Sequence, residues 1–70
     1  MNIKFEPIKR NTLTVSETAK YLGVSTDLIY LLVREGKIIH FRLGRRILFK
    51  KEEIDKWVQS QMVGGLDDEQ

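Results

Sequence analysis

Seventy residues with no cysteine allow one domain. They exclude disulfide staples and the common cysteine-based zinc folds, so a small core must hold itself together. The formal charge is +2, but residues 34–51 carry seven Lys/Arg against the single acid Glu35, and Asp67, Asp68 and Glu69 gather at the far end. That excess of cations is the footprint of a polyanion partner, with a merely solvated surface as the alternative. No run approaches the ~20 apolar residues of a membrane span, and residues 1–11 lack the apolar stretch of a signal peptide. The expected location is the cytoplasm, with no membrane partner.

Residues 1–12 read as an extended arm: Ile3, Phe5 and Ile8 are apolar, Pro7 opposes a helix, and Phe5 is expected to pack on the domain. Leu13-Thr14-Val15 leads into a first helix. Its expected N-cap is Ser16, whose hydroxyl can accept a bond from an orphan amide, with Glu17 at the positive end of the helix dipole. Val15, Ala19 and Leu22 supply the buried side, and Gly23 is the left-handed stop. Ser25 caps a second helix over residues 26–35, which Gly36 ends. The pair is thus joined by the three-residue turn Gly23-Val24-Ser25, the sequence form of a helix-turn-helix. Gly23 permits the sharp turn, Val24 plugs the angle between the helices, and Ala19 lets them approach. The same spacing also occurs in αα-hairpins that bind no DNA.

Beyond Gly36, Ile38-Ile39-His40-Phe41-Arg42 and Arg46-Ile47-Leu48-Phe49-Lys50 flank Leu43-Gly44-Arg45 and predict a β-hairpin. Kept in phase by the turn, Ile39, Phe41, Ile47 and Phe49 form an apolar face, and His40, Arg42, Arg46, Leu48 and Lys50 a mostly basic one. A third helix over residues 51–62 places Ile54, Trp57, Val58 and Gln61 on one core-facing stripe, with Trp57 in the core. Glu52 and Glu53 lie in its first turn, and Glu52 is spaced to pair with Lys56. Gly64-Gly65 ends it. The predicted fold class is mainly α with a small β-hairpin: a winged helix-turn-helix of three helices and a two- or three-stranded wing. The predicted division is an arm (1–12), the winged domain (13–62) and a flexible acidic tail (63–70).

The stretch "LTVSETAKYLGVSTDLIYLLVREGKIIHFRLGRRILFKKEEIDKWV", residues 13–58, closely resembles the excisionase family of DNA-binding domains, small winged relatives of the mercury-resistance type regulators. The pieces that carry the resemblance are "LTVSETAKYLGVS", "IYLLVREGKI", "FRLGRR" and "EEIDKW". The resemblance implies a recognition helix beginning at Ser25 that enters the major groove, with Thr26, Asp27, Tyr30 and Leu31 toward bases or phosphates and Arg34 near the backbone. It implies a wing, Arg42, Gly44, Arg45 and Arg46, along the neighbouring minor groove. Family members bind and bend DNA at the ends of mobile elements and steer an integrase toward excision, or act as small transcriptional regulators. Double-stranded DNA is therefore the expected partner, with an integrase or recombinase and cooperative self-association on DNA as further expectations. This sequence departs from the family where Arg or Lys is frequent, at Thr26 and Leu31, and it carries Lys51 where the last helix is often capped by Ser. Asp27 and a single cation, Arg34, leave the helix poor in readers of guanine.

Leu28, Ile29, Leu31, Leu32 and Val33 make the second helix apolar nearly all round, more than one core contact can cover. Leu28 and Leu31 are expected at the surface, against thymine methyls or another protein, and a protein-interaction adaptor using them is the alternative of a different kind. Tyr30 reads equally as a core-edge residue or a phosphate donor. The wing arginines could instead guard an exposed sheet edge. His40, the one histidine, has no acid at ligand spacing, so neither a metal nor a cofactor is expected, and His40 is assigned to the basic hairpin face. Glu52-Glu53 reads as a helix start, Asp67-Asp68 as a solvated tail, and Ser16 and Ser25 as caps without a base to activate them. An enzyme is not expected.

Overall fold

The computed structural model describes residues 10–65; Phe5 and the rest of residues 1–9, and the acidic residues of the tail, lie outside the described residues. In chain order the elements are β1 (Thr12–Thr14), α1 (Val15–Leu22), α2 (Thr26–Arg34), β2 (Phe41–Leu43), β3 (Arg46–Lys50) and α3 (Lys51–Gln61). Three helices pack with an antiparallel sheet of strand order β1-β3-β2, a winged helix-turn-helix with a three-stranded wing. The third strand is β1, which pairs Thr12 with Lys50, Leu13 with Phe49 and Thr14 with Leu48. No helix among the described residues is long and apolar enough to cross a membrane.

The first helix starts earlier than expected. Its N-cap is Thr14, not Ser16: Thr14 Oγ1 accepts from the Glu17 amide at 3.1 Å, and Glu17 Oε1 accepts from the Thr14 amide at 3.0 Å. These reciprocal bonds are a capping box, which satisfies an orphan donor at the helix start and fixes the entry of the chain. Thr14 also closes β1, and Lys50 both closes β3 and caps α3, so each strand runs into its helix without a linker. The cap of α3 is Lys50, not Lys51, and no side chain bonds to it; the Lys51 amide instead donates to the Asn11 carbonyl at 2.8 Å.

The helix-turn-helix joint follows the sequence. Gly23 has φ +74°, where an L side chain is strained, and its amide bonds back into α1. Ser25 Oγ accepts from the Leu28 amide at 3.1 Å. Val24 is 37% exposed, however, and does not plug the angle. The core is filled by Val15, Ala19, Ile29, Val33, Ile38, Phe49 and Ile54, with Leu13, Leu22, Leu32, Ile47, Trp57 and Val58 half-buried around it. Phe49, Ile29 and Ile54 have no exposed surface; at about 1.5–3 kcal/mol each, these three side chains alone rival the stability expected of so small a domain. Thr18 is equally buried, and its hydroxyl donates to the Thr14 carbonyl at 2.8 Å.

On α3 the stripe is shorter than expected. Ile54 is buried and Trp57 and Val58 are half-buried, but Gln61 is exposed. Trp57 sits at the rim of the core, where its Nε1 donates to the Lys37 carbonyl at 2.9 Å and ties α3 to the segment after α2. Lys56 pairs with Glu53 at 3.6 Å rather than with Glu52. Tyr21 joins α1 to α3, donating its hydroxyl to Asp55 beneath the Lys51 ammonium, which lies 5.0 Å from the ring centroid.

The hairpin is out of the expected phase. Its turn is the two residues Gly44 and Arg45, and the register pairs Leu43 with Arg46, Arg42 with Ile47 and Phe41 with Leu48. Gly44 has φ +61° and no non-glycine residue among those described has positive φ, the sign pattern of a type II′ turn with Gly first. Directly paired residues share a face. Arg42 therefore shares the face of Ile47, Phe49 and Leu13, while Phe41, Leu43, Arg46, Leu48 and Lys50 share the other. Neither the apolar face nor the basic face survives as predicted. Residues 38–40 precede the strand: Ile38 is buried, Ile39 is 48% exposed, and a ring nitrogen of His40 bonds the Ile38 carbonyl at 2.8 Å with the ring 6.4 Å from that of Phe49. His40 is thus half-buried against the core's edge instead of lying on a basic face.

Candidate nucleic-acid interface

Helix α2 presents three kinds of surface. Ile29 and Val33, one turn apart, are buried. Thr26, Asp27, Leu28, Tyr30, Leu31 and Arg34 are exposed. At 3.6 residues per turn, Asp27, Leu31 and Arg34 lie away from the side of Ile29 and Val33, whereas Thr26 is on that side but in the first turn. The exposed fractions of Leu28, Tyr30 and Leu31, 40%, 50% and 36%, place all three at the surface. Ser25 spends its hydroxyl on capping the helix, which fixes the first turn where Thr26 and Asp27 stand.

The wing approaches this helix across a cleft of about 350 Å³ lined by Thr14, Val15, Ser16, Tyr30, Arg45, Arg46 and Ile47. Tyr30, half exposed, lines this cleft. The cleft unites one recognition-helix residue with two of the wing arginines and with the first turn of α1. Gly44 positions them, since its left-handed backbone makes the turn that leaves Arg45 and Arg46 on the return side of the hairpin. Arg42 is not part of this group: it does not line the cleft, although it is paired with Ile47, which does.

The charges here are uncompensated. Among the described residues, the ion pairs are Arg10–Glu17, Glu35–Lys37 at 3.3 Å and Glu53–Lys56 at 3.6 Å, and none of those residues lines the cleft. Arg34, Arg42, Arg45, Arg46 and Lys50 enter no ion pair among the described residues. Glu17, the acid nearest in sequence to the cleft, is held in its charged form: the bond from the Thr14 amide, then the Arg10 side chain, lower its pKa below the ordinary glutamate value. The contribution of Thr14, Val15, Ser16 and Ile47 to the cleft was not foreseen. A legible signal existed in Thr14-Val15-Ser16-Glu17, which has the T-x-x-E form of a capping box and starts the helix at the cleft.

A helix-turn-helix with a basic three-stranded wing beside its second helix defines the winged class of DNA-binding domain. Over residues 12–62 the chain matches the family described as a helix-turn-helix domain, which includes excisionase-like DNA-binding domains, and it belongs to that family. It is a DNA-binding helix-turn-helix protein. No curated protein and no solved structure matches it.

Proposed function

We propose that this chain is an excisionase-type architectural factor, which binds and bends DNA and assists an integrase or recombinase in excising a mobile element. In this reading α2 enters the major groove with Thr26, Asp27, Tyr30, Leu31 and Arg34 foremost. Arg45 and Arg46 lie on the adjacent backbone and minor groove, Arg42 reaches the backbone from the other hairpin face, and a phosphate passes the cleft between wing and helix. The observation that carries the reading is the cleft itself, lined by Tyr30, the start of α1 and two arginines that enter no ion pair among the described residues. Arginine is favoured at phosphates and in narrow minor grooves, where negative potential is strongest. Polyanion binding of this kind needs no cofactor and no catalytic group.

Fluorescence anisotropy with a random duplex, titrated from low to physiological salt, tests the DNA surface. A log–log slope of about −3 to −6 corresponds to several neutralised phosphates; no binding at low salt removes the reading. Electrophoresis of circularly permuted fragments tests the architectural role. A mobility that depends on site position means bending, whereas uniform mobility favours a small transcriptional regulator. A single unit of this size gains specificity by occupying several sites, so cooperative binding to repeated sites is expected as well.

A further inference from the structure

We infer that Leu28 and Leu31 read thymine methyl groups, so that thymine, rather than guanine, is the base this recognition helix selects, an inference that rests on α2 entering the major groove as proposed above. At 3.6 residues per turn, Ile29 and Val33 fix the buried side of α2, and Leu31 falls on the side directly away from it. Asp27 and Arg34 flank Leu31 on that side, and Leu28 lies one turn before it. The two leucines are 36% and 40% exposed, so they occupy the part of the helix that would go deepest into the groove.

The major groove displays one apolar group, the C5-methyl of thymine. Guanine displays two acceptors and needs donors. The N-terminal half of a recognition helix is the part that reaches base edges, and here it holds Thr26, Asp27 and Leu28, with Leu31 next. The only cation of α2, Arg34, is at its far end. Asp27 is acceptor-only when charged; it repels guanine N7 and O6 and accepts from an exocyclic amino group. Cytosine N4 and adenine N6 both offer such a group in this groove; cytosine is the usual aspartate partner, because adenine also displays the N7 acceptor. The leucines on the methyl are thus the contact that selects thymine, while Asp27 disfavours a guanine edge. Runs of T·A pairs also narrow the minor groove and favour arginine there, which matches Arg45 and Arg46 on the wing. A protein partner fits less well: two leucines bordered by Asp27 and Arg34 fall far short of the roughly 1,000 Å² of a stable protein interface.

The test begins with duplexes selected from a random library by the intact chain. Each selected duplex is then made with thymine and with deoxyuridine, which lacks only the methyl, and both are titrated at one salt concentration. The expected result is about fourfold weaker binding for each contacted methyl removed. Leu31→Ala should weaken binding to the thymine duplex by a similar factor, lose sensitivity to deoxyuridine at one thymine position while keeping it at that read by Leu28, and keep the wild-type salt slope. The deoxyuridine arm leaves the protein unaltered, so it holds even where Leu31→Ala fails to fold. Equal affinity for the two duplexes with steep salt dependence intact overturns the thymine inference and leaves the DNA reading standing. Recovery of no duplex from the library removes the DNA reading itself.

Discussion

Replacing Arg45 and Arg46 together by alanine is the perturbation that bears most directly on the interface. Both side chains line the cleft beside Tyr30, both residues are exposed, and neither enters an ion pair among the described residues. Their loss should therefore leave folding intact and act on binding alone. Each neutralised phosphate contributes about 0.9 to the slope of log affinity against log salt. Two lost contacts flatten the slope by about 1.8, so the affinity gap between wild type and variant should shrink about twelvefold between 50 and 200 mM salt. Anisotropy at four or five salt concentrations measures this, and circular dichroism melting checks the fold. Lys56→Ala is the control, since Lys56 lies on α3 in an ion pair with Glu53 and should leave the slope unchanged. A double variant with the wild-type slope would refute the assignment of the wing to the DNA surface.

Three further outcomes follow from the local geometry. Thr14→Ala removes the cap of α1 and should cost about 1 kcal/mol, seen as a fall of about 4–8 °C in melting temperature; a larger loss from Ser16→Ala would return the cap to Ser16. Gly44→Ala meets no atom but forces a Cβ onto φ +61°, so it should destabilise the hairpin by about 1 kcal/mol or more, and Gly44→Asn, which tolerates this region better, should lose less. Glu17 has a lowered folded-state pKa, so its charged-state stabilisation is present at neutral pH and is lost as pH falls through that value. Glu17→Gln should melt below wild type at pH 7, and the gap should close as pH drops below the ordinary glutamate range; a gap independent of pH would contradict the role of Arg10 and the Thr14 amide.

The parts of this fold that could be read from the chain are those whose cause is local. Gly23 and Ser25 announced the joint, because a left-handed residue and a hydroxyl cap each act within a few positions. The exposure of Leu28 and Leu31 was legible for a different reason: five apolar residues within the six positions 28–33 cannot all face one core. What escaped depended on pairing across the chain. A three-residue strand such as Thr12–Thr14 has no periodicity of its own and exists only because β3 accepts it. The hairpin faces were misassigned because the turn holds two residues, not three, and a shift of one position moves every side chain to the opposite face. That slip carried Arg42 away from Arg46 and Phe41 away from Phe49. The start of α1 was local and still missed, since Ser16 and Thr14 are both able caps; Glu17, three residues after Thr14, decides between them. The cleft could not be foreseen in full, because it joins residues from β1, α1, α2 and the wing.

The two-residue turn and the direct joins at Thr14 and Lys50 also set rules for anyone who would remodel the molecule. With no slack between strand and helix, an insertion at either join would pull α1 or α3 off its seat. The wing tip is free of that constraint, since past Leu43 and Arg46 the ribbon ends in Gly44 and Arg45 alone. One matched pair added there, a residue per strand, would lengthen the finger and leave every existing side chain on its present side. A lone added residue would invert one strand's pattern. Grafting longer or differently charged tips in such matched steps would change the reach of this domain along a duplex without disturbing the helix that reads it.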